Sequence, residues 1–291
     1  MASRIRHIAS NDGIAGIFKV KRDVVYSTAT GTDLMLDVIY PWATDYAEEK
    51  PVLPLVVFVQ GSGWATPDRD GQLPQLGELA RRGFVVATAG HRSIFEGHPL
   101  PAQLVDVKCA IRFLRAHASD YGIDPARIAI WGTSSGAHVA QIVGVTAGMP
   151  RFESTEWADQ SDTVSAVVSS FGPCDLTAWI GFNSADPDNL PFIERLVVGG
   201  EAERSEMMRA MSAIEYVSRE HADTIPPYFL SVGTNDPLVE VSQVTRMYEA
   251  LTEAGVEAEA VLVDGAVHEA NYWSQEMLEL IWSFLAHNLS C

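Results

Sequence analysis

A Gly-Thr-Ser-Ser-Gly segment, residues 132–136, joins a predicted strand to a predicted helix. The strand is the apolar run Arg127–Trp131, and the helix continues through Ala137–Val143 with little polar interruption. A G-x-S-x-G at such a junction predicts a turn so sharp that a Cβ at either glycine would clash. Ser134 would then project above the sheet at a helix N-terminus, where free N–H groups favour negative charge. We therefore predict Ser134 as a nucleophile; the alternative is a serine that only caps the helix.

Predicted strands alternate with predicted helices along most of the 291 residues. This order predicts an α/β fold, a single domain over residues 1–291 with a mostly parallel sheet of eight strands and helices on both faces. The first two strands form a predicted hairpin that turns at residues 30–33, and the apolar run VLPLVVFVQ is a predicted central strand. A short turn is predicted at residues 124–127, where Pro125 follows Asp124, and a helix is predicted from about Leu238 to Ala254.

Residues from about 149 to 222 break this alternation. Apart from one strand, the segment holds short polar helical pieces and the aromatic residues Trp157, Trp179 and Phe192. We predict that it includes a partial cap, an insertion lying over the carboxyl edge of the sheet above the active site. An ordinary crossover connection with a few packed aromatic residues explains the same pattern.

Composition narrows the classes of partner. A formal net charge of −18 disfavours nucleic acid, anionic membrane surfaces and polyanionic substrates. The N-terminal residues lack a continuous apolar run and no later stretch is long and apolar enough to cross a bilayer, so we predict a cytoplasmic protein. The cysteines, Cys109, Cys174 and Cys291, lack metal-ligand spacing and are expected as free thiols. We predict neither a metal nor a cofactor, and a homodimer is compatible with the sequence.

A serine hydroxyl needs a base to remove its proton and an acid to orient that base. Downstream of Ser134, the segment SVGTNDPLV offers Asp236 and the segment VDGAVHEANYW offers His268, each in a loop after a predicted strand. His287 is the other histidine beyond Asp236, but it falls inside the predicted terminal helix. We therefore predict Ser134, Asp236 and His268 as a catalytic triad.

Several alternatives to Asp236 stay open. Its position before Pro237 also fits a helix N-cap, and the two roles do not exclude each other. Three other carboxylates are weaker candidates for the acid: Glu240, Asp175 and Asp264.

Backbone N–H donors must be in place before an oxyanion develops. The residue after the nucleophile supplies one, Ser135 N–H. The loop Val59–Trp64 follows the third strand, and its small residues allow close approach, so we predict Ser62 and Gly63 as the other donors. A shift of one residue in register would bring in Gly61 or Trp64. His91, His98 and His138 lack metal-ligand spacing and are expected to be structural, with His138 packed beneath the site.

The residues quoted so far, with the long segment LPAQLVDVKCAIRFLRAHASDYGIDPARIAIWGTSSGAHVA, resemble the esterase/lipase family of α/β-hydrolases. Within it, they resemble the acetylxylan and feruloyl esterase-like branch near the hormone-sensitive lipase group. The resemblance covers residues from about 33 to 286 and implies the α/β-hydrolase fold, the same triad and an oxyanion loop at residues 61–63.

Two segments depart from the family pattern. Its oxyanion loop usually reads HGGGW, whereas this chain has Gln60 for the histidine and Ser62 for a glycine. Residues 269–271 also replace the small glycine and aromatic residue usual after the histidine. No catalytic atom is lost. We predict that Gln60 and Trp64 contact the substrate.

These observations predict a serine carboxylesterase acting on short-chain acyl esters through an acyl-enzyme, the resemblance suggesting O-acetyl or feruloyl groups on plant carbohydrate. The expected partner is thus a small ester or an acylated carbohydrate. An arylformamidase-type amide hydrolase on the same triad is the alternative enzyme. The third hypothesis is a hydrolase-fold protein that binds a partner without catalysis. It is disfavoured because all three triad candidates are present.

Overall fold

The computed structural model describes residues 5–10, 16–45, 51–179 and 190–289. Eight strands form one sheet in the order β1-β2-β4-β3-β5-β6-β7-β8. Their bounds are β1 Phe18–Ser27, β2 Leu34–Pro41, β3 Leu53–Val59, β4 Val85–Ala89, β5 Ile123–Thr133, β6 Ala166–Ser170, β7 Tyr228–Gly233 and β8 Ala258–Val263.

Strand direction follows the predicted pattern. β1 and β2 form an antiparallel hairpin, and β2 also runs antiparallel to β4. All pairs from β4 to β8 are parallel. Every residue of β3 is buried, as expected for a strand covered on both faces. The predicted α/β-hydrolase sheet is confirmed, and the carboxyl ends of its parallel strands meet at one edge.

Helices connect these strands and pack on the sheet. Their bounds are α1 Leu73–Arg81, α2 Ala102–Ala116, α3 Ala118–Tyr121, α4 Ser135–Val145, α5 Leu190–Leu196, α6 Glu201–Ala210, α7 Val241–Ala254 and α8 Gln275–Asn288. Every residue of α4 is buried, and the helix lies against β3, β5 and β6. This burial explains why its sequence lacks a polar face.

Two predicted boundaries are wrong. The expected turn at residues 124–127 is a bulge within β5, where Leu53 and Leu55 pair with Ile123 and Ile128. The bulge is held locally, since Asp124 accepts a hydrogen bond from the Ala126 amide at 2.9 Å. The helix expected from Leu238 begins three residues later, at Val241.

The segment from 149 to 222 contains β6, α5, α6 and several short 3-10 turns. Residues 180–189 of the predicted cap lie outside the described residues. No helix among the described residues combines the length and the apolar character needed to cross a membrane.

Candidate active site

The strand–helix turn at Ser134 has the geometry that its glycines predict. Ser134 has φ 51° and ψ −123°, a strained conformation for a residue with a side chain. A Cβ on Gly132 would lie 2.3 Å from the Gly136 oxygen, and one on Gly136 would lie 2.1 Å from the Val59 oxygen. The Ser134 amide donates to the Ser170 oxygen of β6 at 2.9 Å. Both positions therefore require glycine, because a Cβ at either one would clash with backbone atoms.

The three predicted triad side chains lie together at the carboxyl edge of the sheet. His268 Nε2 lies 2.9 Å from Ser134 Oγ, and His268 Nδ1 lies 2.7 Å from Asp236 Oδ2. A carboxylate can only accept, so Nδ1–H donates to Asp236 and Nε2 is left to accept the Ser134 proton. The Asp236 side chain is 1% exposed and that of His268 is 13% exposed. The arrangement can transfer a proton from serine to an oriented imidazole.

The second oxygen of Asp236 holds the carboxylate in place. Asp236 Oδ1 accepts hydrogen bonds from the Leu238 amide at 2.8 Å and the Val239 amide at 2.9 Å. The N-cap of α7 is Glu240, so Asp236 caps the turn before the helix instead of the helix itself. The predicted role of Asp236 as the helix N-cap is therefore wrong, because the N-cap lies four residues later in the chain.

The other candidate acids and the other histidine lie elsewhere. Asp175 pairs with Arg246 at 2.7 Å, and Asp264 is exposed in the turn after β8. Burial would raise the pKa of the Asp175 carboxyl, but hydrogen bonds from Thr177 and Arg246 outweigh it and lower that pKa. His287 lies within α8, as predicted.

One aromatic residue that packs on the site was not predicted. Phe171 follows β6 directly, and its ring meets the His268 ring edge to face, with centroids 4.7 Å apart. Phe171 also has a positive φ, 44°. The contact limits rotation of the imidazole. Nothing in the segment SSFGP except the end of a strand points to this role.

The oxyanion loop contacts the residues on either side of Ser134. The Gly61 amide donates to Thr133 Oγ1 at 2.8 Å, and the Ser62 amide donates to Ser135 Oγ at 3.0 Å. The Ser62 N–H, which is a predicted oxyanion donor, therefore has a side-chain acceptor in this structure, and its role as a donor stays a prediction. The Ser62 hydroxyl turns back to the Ala65 oxygen at 2.6 Å.

Gly63 and Ser135 retain amides that face no protein acceptor. Neither N–H donates a hydrogen bond to another described residue. Gly63 has φ 59°, and a Cβ built on it would have nothing within 4 Å, so open space adjoins it. Ser135 is the first residue of α4, where amides have no partner inside the helix. Both residues line the same cleft as Ser134, and their amides stay the predicted oxyanion donors.

A cleft of about 310 Å³ opens over the triad and is walled mainly by apolar side chains. Among the residues predicted to shape it, Trp64, Trp179 and Phe192 line the cleft. The other lining residues are Gly61, Ser62, Gly63, Ser134, Ser135, Pro173, Leu238, Val239, His268 and Glu269. Of these, Leu238, Val239 and Pro173 were missed, because their sequence shows only short loops.

Two residues that the sequence suggests for the neighbourhood of the active site, Gln60 and Trp157, are not among those that line the cleft. Gln60 is not among the lining residues, and its Oε1 is buried with no hydrogen-bond partner among the described residues. Its predicted role as a substrate-binding residue is therefore not supported by this geometry. The Trp157 indole donates to the Tyr26 oxygen at 2.9 Å, and its ring packs on Phe113. Trp157 is thus part of a different packing cluster.

His138 packs beneath the site, as predicted, and links Trp64 to the segment after α6. Its Nδ1 lies 3.1 Å from Trp64 Nε1, and its Nε2 lies 2.7 Å from the Met211 oxygen. The indole can only donate and the carbonyl can only accept, which sets the neutral tautomer with the proton on Nε2. Burial lowers the pKa of His138 to about 4. No group of three or more His, Cys, Asp or Glu residues suited to a metal ion occurs in the described part of the chain.

Comparison with known proteins places this geometry in a family. The BD-FAE family model matches residues 36–251. The probable carboxylic ester hydrolase LipM of Mycobacterium tuberculosis is 32% identical over 202 residues, which are 69% of this chain and 45% of that protein. The chain spans about half the length of the curated relatives it matches.

Solved structures share the fold along nearly the whole chain. A truncated carbohydrate esterase from gut microbiota superposes with a TM-score of 0.80 at 24% identity, covering 94% of this chain and 97% of that one. The butyrate-bound esterase Est2 of Thermogutta terrifontis has a TM-score of 0.74 at 27% identity, covering 94% and 95%. With the family match extending from β2 into α7, the chain belongs to the BD-FAE family.

Proposed function

We propose that the protein is a serine carboxylesterase that hydrolyses short-chain acyl esters through an acyl-enzyme. The observation that carries the proposal is the chain of hydrogen bonds from Ser134 Oγ through His268 to the buried Asp236, open to an apolar cleft. The hypothesis of a non-catalytic interaction protein would not explain why these three side chains are hydrogen-bonded in this order.

In the first half-reaction, Ser134 Oγ attacks the ester carbonyl carbon while His268 Nε2 accepts its proton. The carbonyl oxygen becomes an oxyanion, which accepts hydrogen bonds from the amides of Gly63 and Ser135. The intermediate then collapses, and the C–O bond to the alcohol breaks. His268 returns its proton to the leaving oxygen, so the alcohol departs neutral and the acyl group stays on Ser134.

Water completes the cycle in the second half-reaction. His268 Nε2 takes a proton from the water as its oxygen attacks the acyl carbon, and the same amides receive the second oxyanion. Collapse breaks the bond to Ser134 Oγ, which recovers its proton from His268. Throughout, Asp236 keeps the imidazole oriented and stabilises its positive charge.

The cleft favours a small acyl group and an uncharged alcohol. Its volume of about 310 Å³ and its aromatic wall suit a short or planar acyl group. The net charge of −18 disfavours polyanionic esters. A butyrate-bound esterase at 27% identity is among the similar structures, which supports a short acyl group. O-Acetyl and feruloyl groups on carbohydrate are the substrates that we propose.

The aromatic wall also supports one alternative, an arylformamidase-type amide hydrolase. Trp64 lies with its ring centroid 5.7 Å from that of Trp179 and 6.1 Å from that of Phe192. Such a wall can stack on an aryl amine leaving group as well as on a planar acyl group. Formanilides tested beside acetyl esters separate the two functions.

The test is hydrolysis of p-nitrophenyl esters from acetate to octanoate, with wild type beside Ser134→Ala. We expect activity that falls with chain length and a loss of kcat of about 10⁶-fold in the variant. Acetylated xylan and methyl ferulate would then be assayed. Activity on formanilides but on no ester in the series would favour the amide hydrolase, and no turnover of either class by folded protein would reject both.

A further inference from the structure

Three consecutive residues at the turn carry hydroxyl groups: Thr133, Ser134 and Ser135. The middle hydroxyl faces His268, whereas Thr133 is 0% exposed and Ser135 is 2% exposed. Buried hydroxyls generally have hydrogen-bond partners, so the contacts of the outer two hydroxyls indicate their roles.

The outer hydroxyls accept from successive amides of the oxyanion loop. Thr133 Oγ1 accepts from Gly61 N–H at 2.8 Å, and Ser135 Oγ accepts from Ser62 N–H at 3.0 Å. The loop also passes so close to the turn that a Cβ on Gly61 would lie 2.8 Å from Ser134 Cβ. These contacts tie the loop to the nucleophile on both sides.

The next amide along the loop is that of Gly63, a residue that lines the cleft together with Ser134 and whose N–H donates no hydrogen bond to a described residue. Its position depends on the two residues before it, because planar peptide bonds leave only the φ and ψ rotations free between successive amides. An oxyanion donor is effective only when it is held in place before charge develops.

We propose that Thr133 and Ser135 are positioning residues whose hydroxyls clasp the oxyanion loop and fix the Gly63 amide for transition-state stabilisation. This inference rests on the proposed serine esterase function. It assigns the Ser62 amide to the clasp and the Gly63 and Ser135 amides to the oxyanion. The opposite arrangement, in which Ser135 Oγ blocks a Ser62 amide needed for catalysis, predicts a change of opposite sign.

The experiment compares Ser135→Ala and Thr133→Val with wild type on p-nitrophenyl acetate. Each variant keeps its backbone amide and loses one clasp acceptor. We expect kcat to fall about 10-fold in each, with KM nearly unchanged, because the loosened donor acts on the transition state. A trifluoromethyl ketone, which forms a hemiketal oxyanion on serine, should bind more weakly by a similar factor. Thr133→Ser keeps the hydroxyl and should recover most of the lost kcat.

Ser169→Ala is the matched control, since it removes a buried hydroxyl that has no hydrogen-bond partner among the described residues. Its kcat should stay close to that of wild type. Thermal melting identifies any variant that fails to fold. If Ser135→Ala does not fold, Thr133→Val still tests the clasp.

Active-site titration of wild type separates the inference from the function on which it rests. A burst of one p-nitrophenol per protein with a lower kcat in both clasp variants supports the clasp. The same burst with an unchanged or higher kcat in folded Ser135→Ala overturns it. Absence of any wild-type burst or turnover overturns the proposed function itself, and the clasp with it.

Discussion

The two sides of the cleft are built differently. On one side, the turn at Ser134 is packed so closely that a Cβ on Gly132 or Gly136 would lie within 2.5 Å of another backbone atom. On the other side, the wall of Trp179 and Phe192 is made of partly buried side chains, and the Leu238 beside them is 54% exposed. The difference indicates that the reaction depends on positions that tolerate no added atom, whereas substrate choice depends on side chains that can change.

The largest loss of activity in this comparison is expected when Asp236, the predicted acid of the triad, is replaced. Asp236→Asn should lower kcat by about 10⁴-fold while the fold is kept, because an amide no longer stabilises the imidazolium or sets its tautomer. The measurement is kcat on p-nitrophenyl acetate, with circular dichroism as the check on folding. Retention of most of the activity would shift the acid role to another carboxylate, with Glu240 the first to test.

His138 lies between Trp64 of the oxyanion loop and Met211, and its titration should be visible in the free energy of unfolding. The folded pKa is about 4, below the ordinary value of 6.5, so between these pH values the unfolded chain binds a proton that the folded chain excludes. Acidification from pH 6.5 to 4 should therefore lower the free energy of unfolding by about 3 kcal/mol through this residue. The loss levels off below pH 4, once the folded histidine is protonated as well.

Urea unfolding at several pH values measures this contribution, with His138→Gln as the comparison. Glutamine can still accept from Trp64 and donate to Met211 but does not titrate. The acid-dependent loss should be smaller in the variant by about 3 kcal/mol, since the other ionisable groups are common to both proteins. Identical pH dependence in the two proteins would show that His138 does not exclude the proton.

A methyl group added to the turn should harm catalysis more than a whole ring removed from the wall. Gly136→Ala places a Cβ 2.1 Å from the Val59 oxygen, so the oxyanion loop must move. A displacement of this order should lower kcat by about 10²-fold, because the donor amides leave their productive positions. Near-normal kcat in Gly136→Ala would show that the turn tolerates change after all.

The matching change in the wall is Trp179→Ala. The indole donates to the Leu238 oxygen at 2.6 Å and packs on Trp64, so its loss enlarges the cleft without touching the triad. We expect the ratio of kcat/KM for octanoate to that for acetate to rise by about 10-fold, with kcat on acetate little changed. An equal loss on all chain lengths would instead tie the wall to the reaction.

Sequence reasoning succeeded where local pattern and chain order carry the information. The strand–helix alternation predicted the sheet, and the glycine spacing together with the order serine, aspartate, histidine predicted side chains that the structure brings within hydrogen-bond distance. The catalytic roles stay predictions until tested. The cytoplasmic location, the cap and the homodimer also stay predictions.

Most of the misses share a physical cause, which is contact between residues far apart in the chain. The bonds from Gly61 and Ser62 to the hydroxyls beside Ser134 span more than seventy residues, so the occupation of the Ser62 amide has no local signal. The packing of Phe171 on His268 and the enclosure of Gln60 likewise depend on tertiary neighbours. The bulge in β5 was missed because Asp-Pro is equally typical of a turn.

Covalent labelling with a fluorophosphonate, read by intact mass and peptide mapping, tests most directly whether Ser134 is an activated nucleophile. We expect one adduct per wild-type chain, on Ser134, with slow labelling in Asp236→Asn and none in Ser134→Ala. An adduct on another residue, or a folded wild-type protein that takes up no label, would contradict the claim that Ser134 is an activated nucleophile.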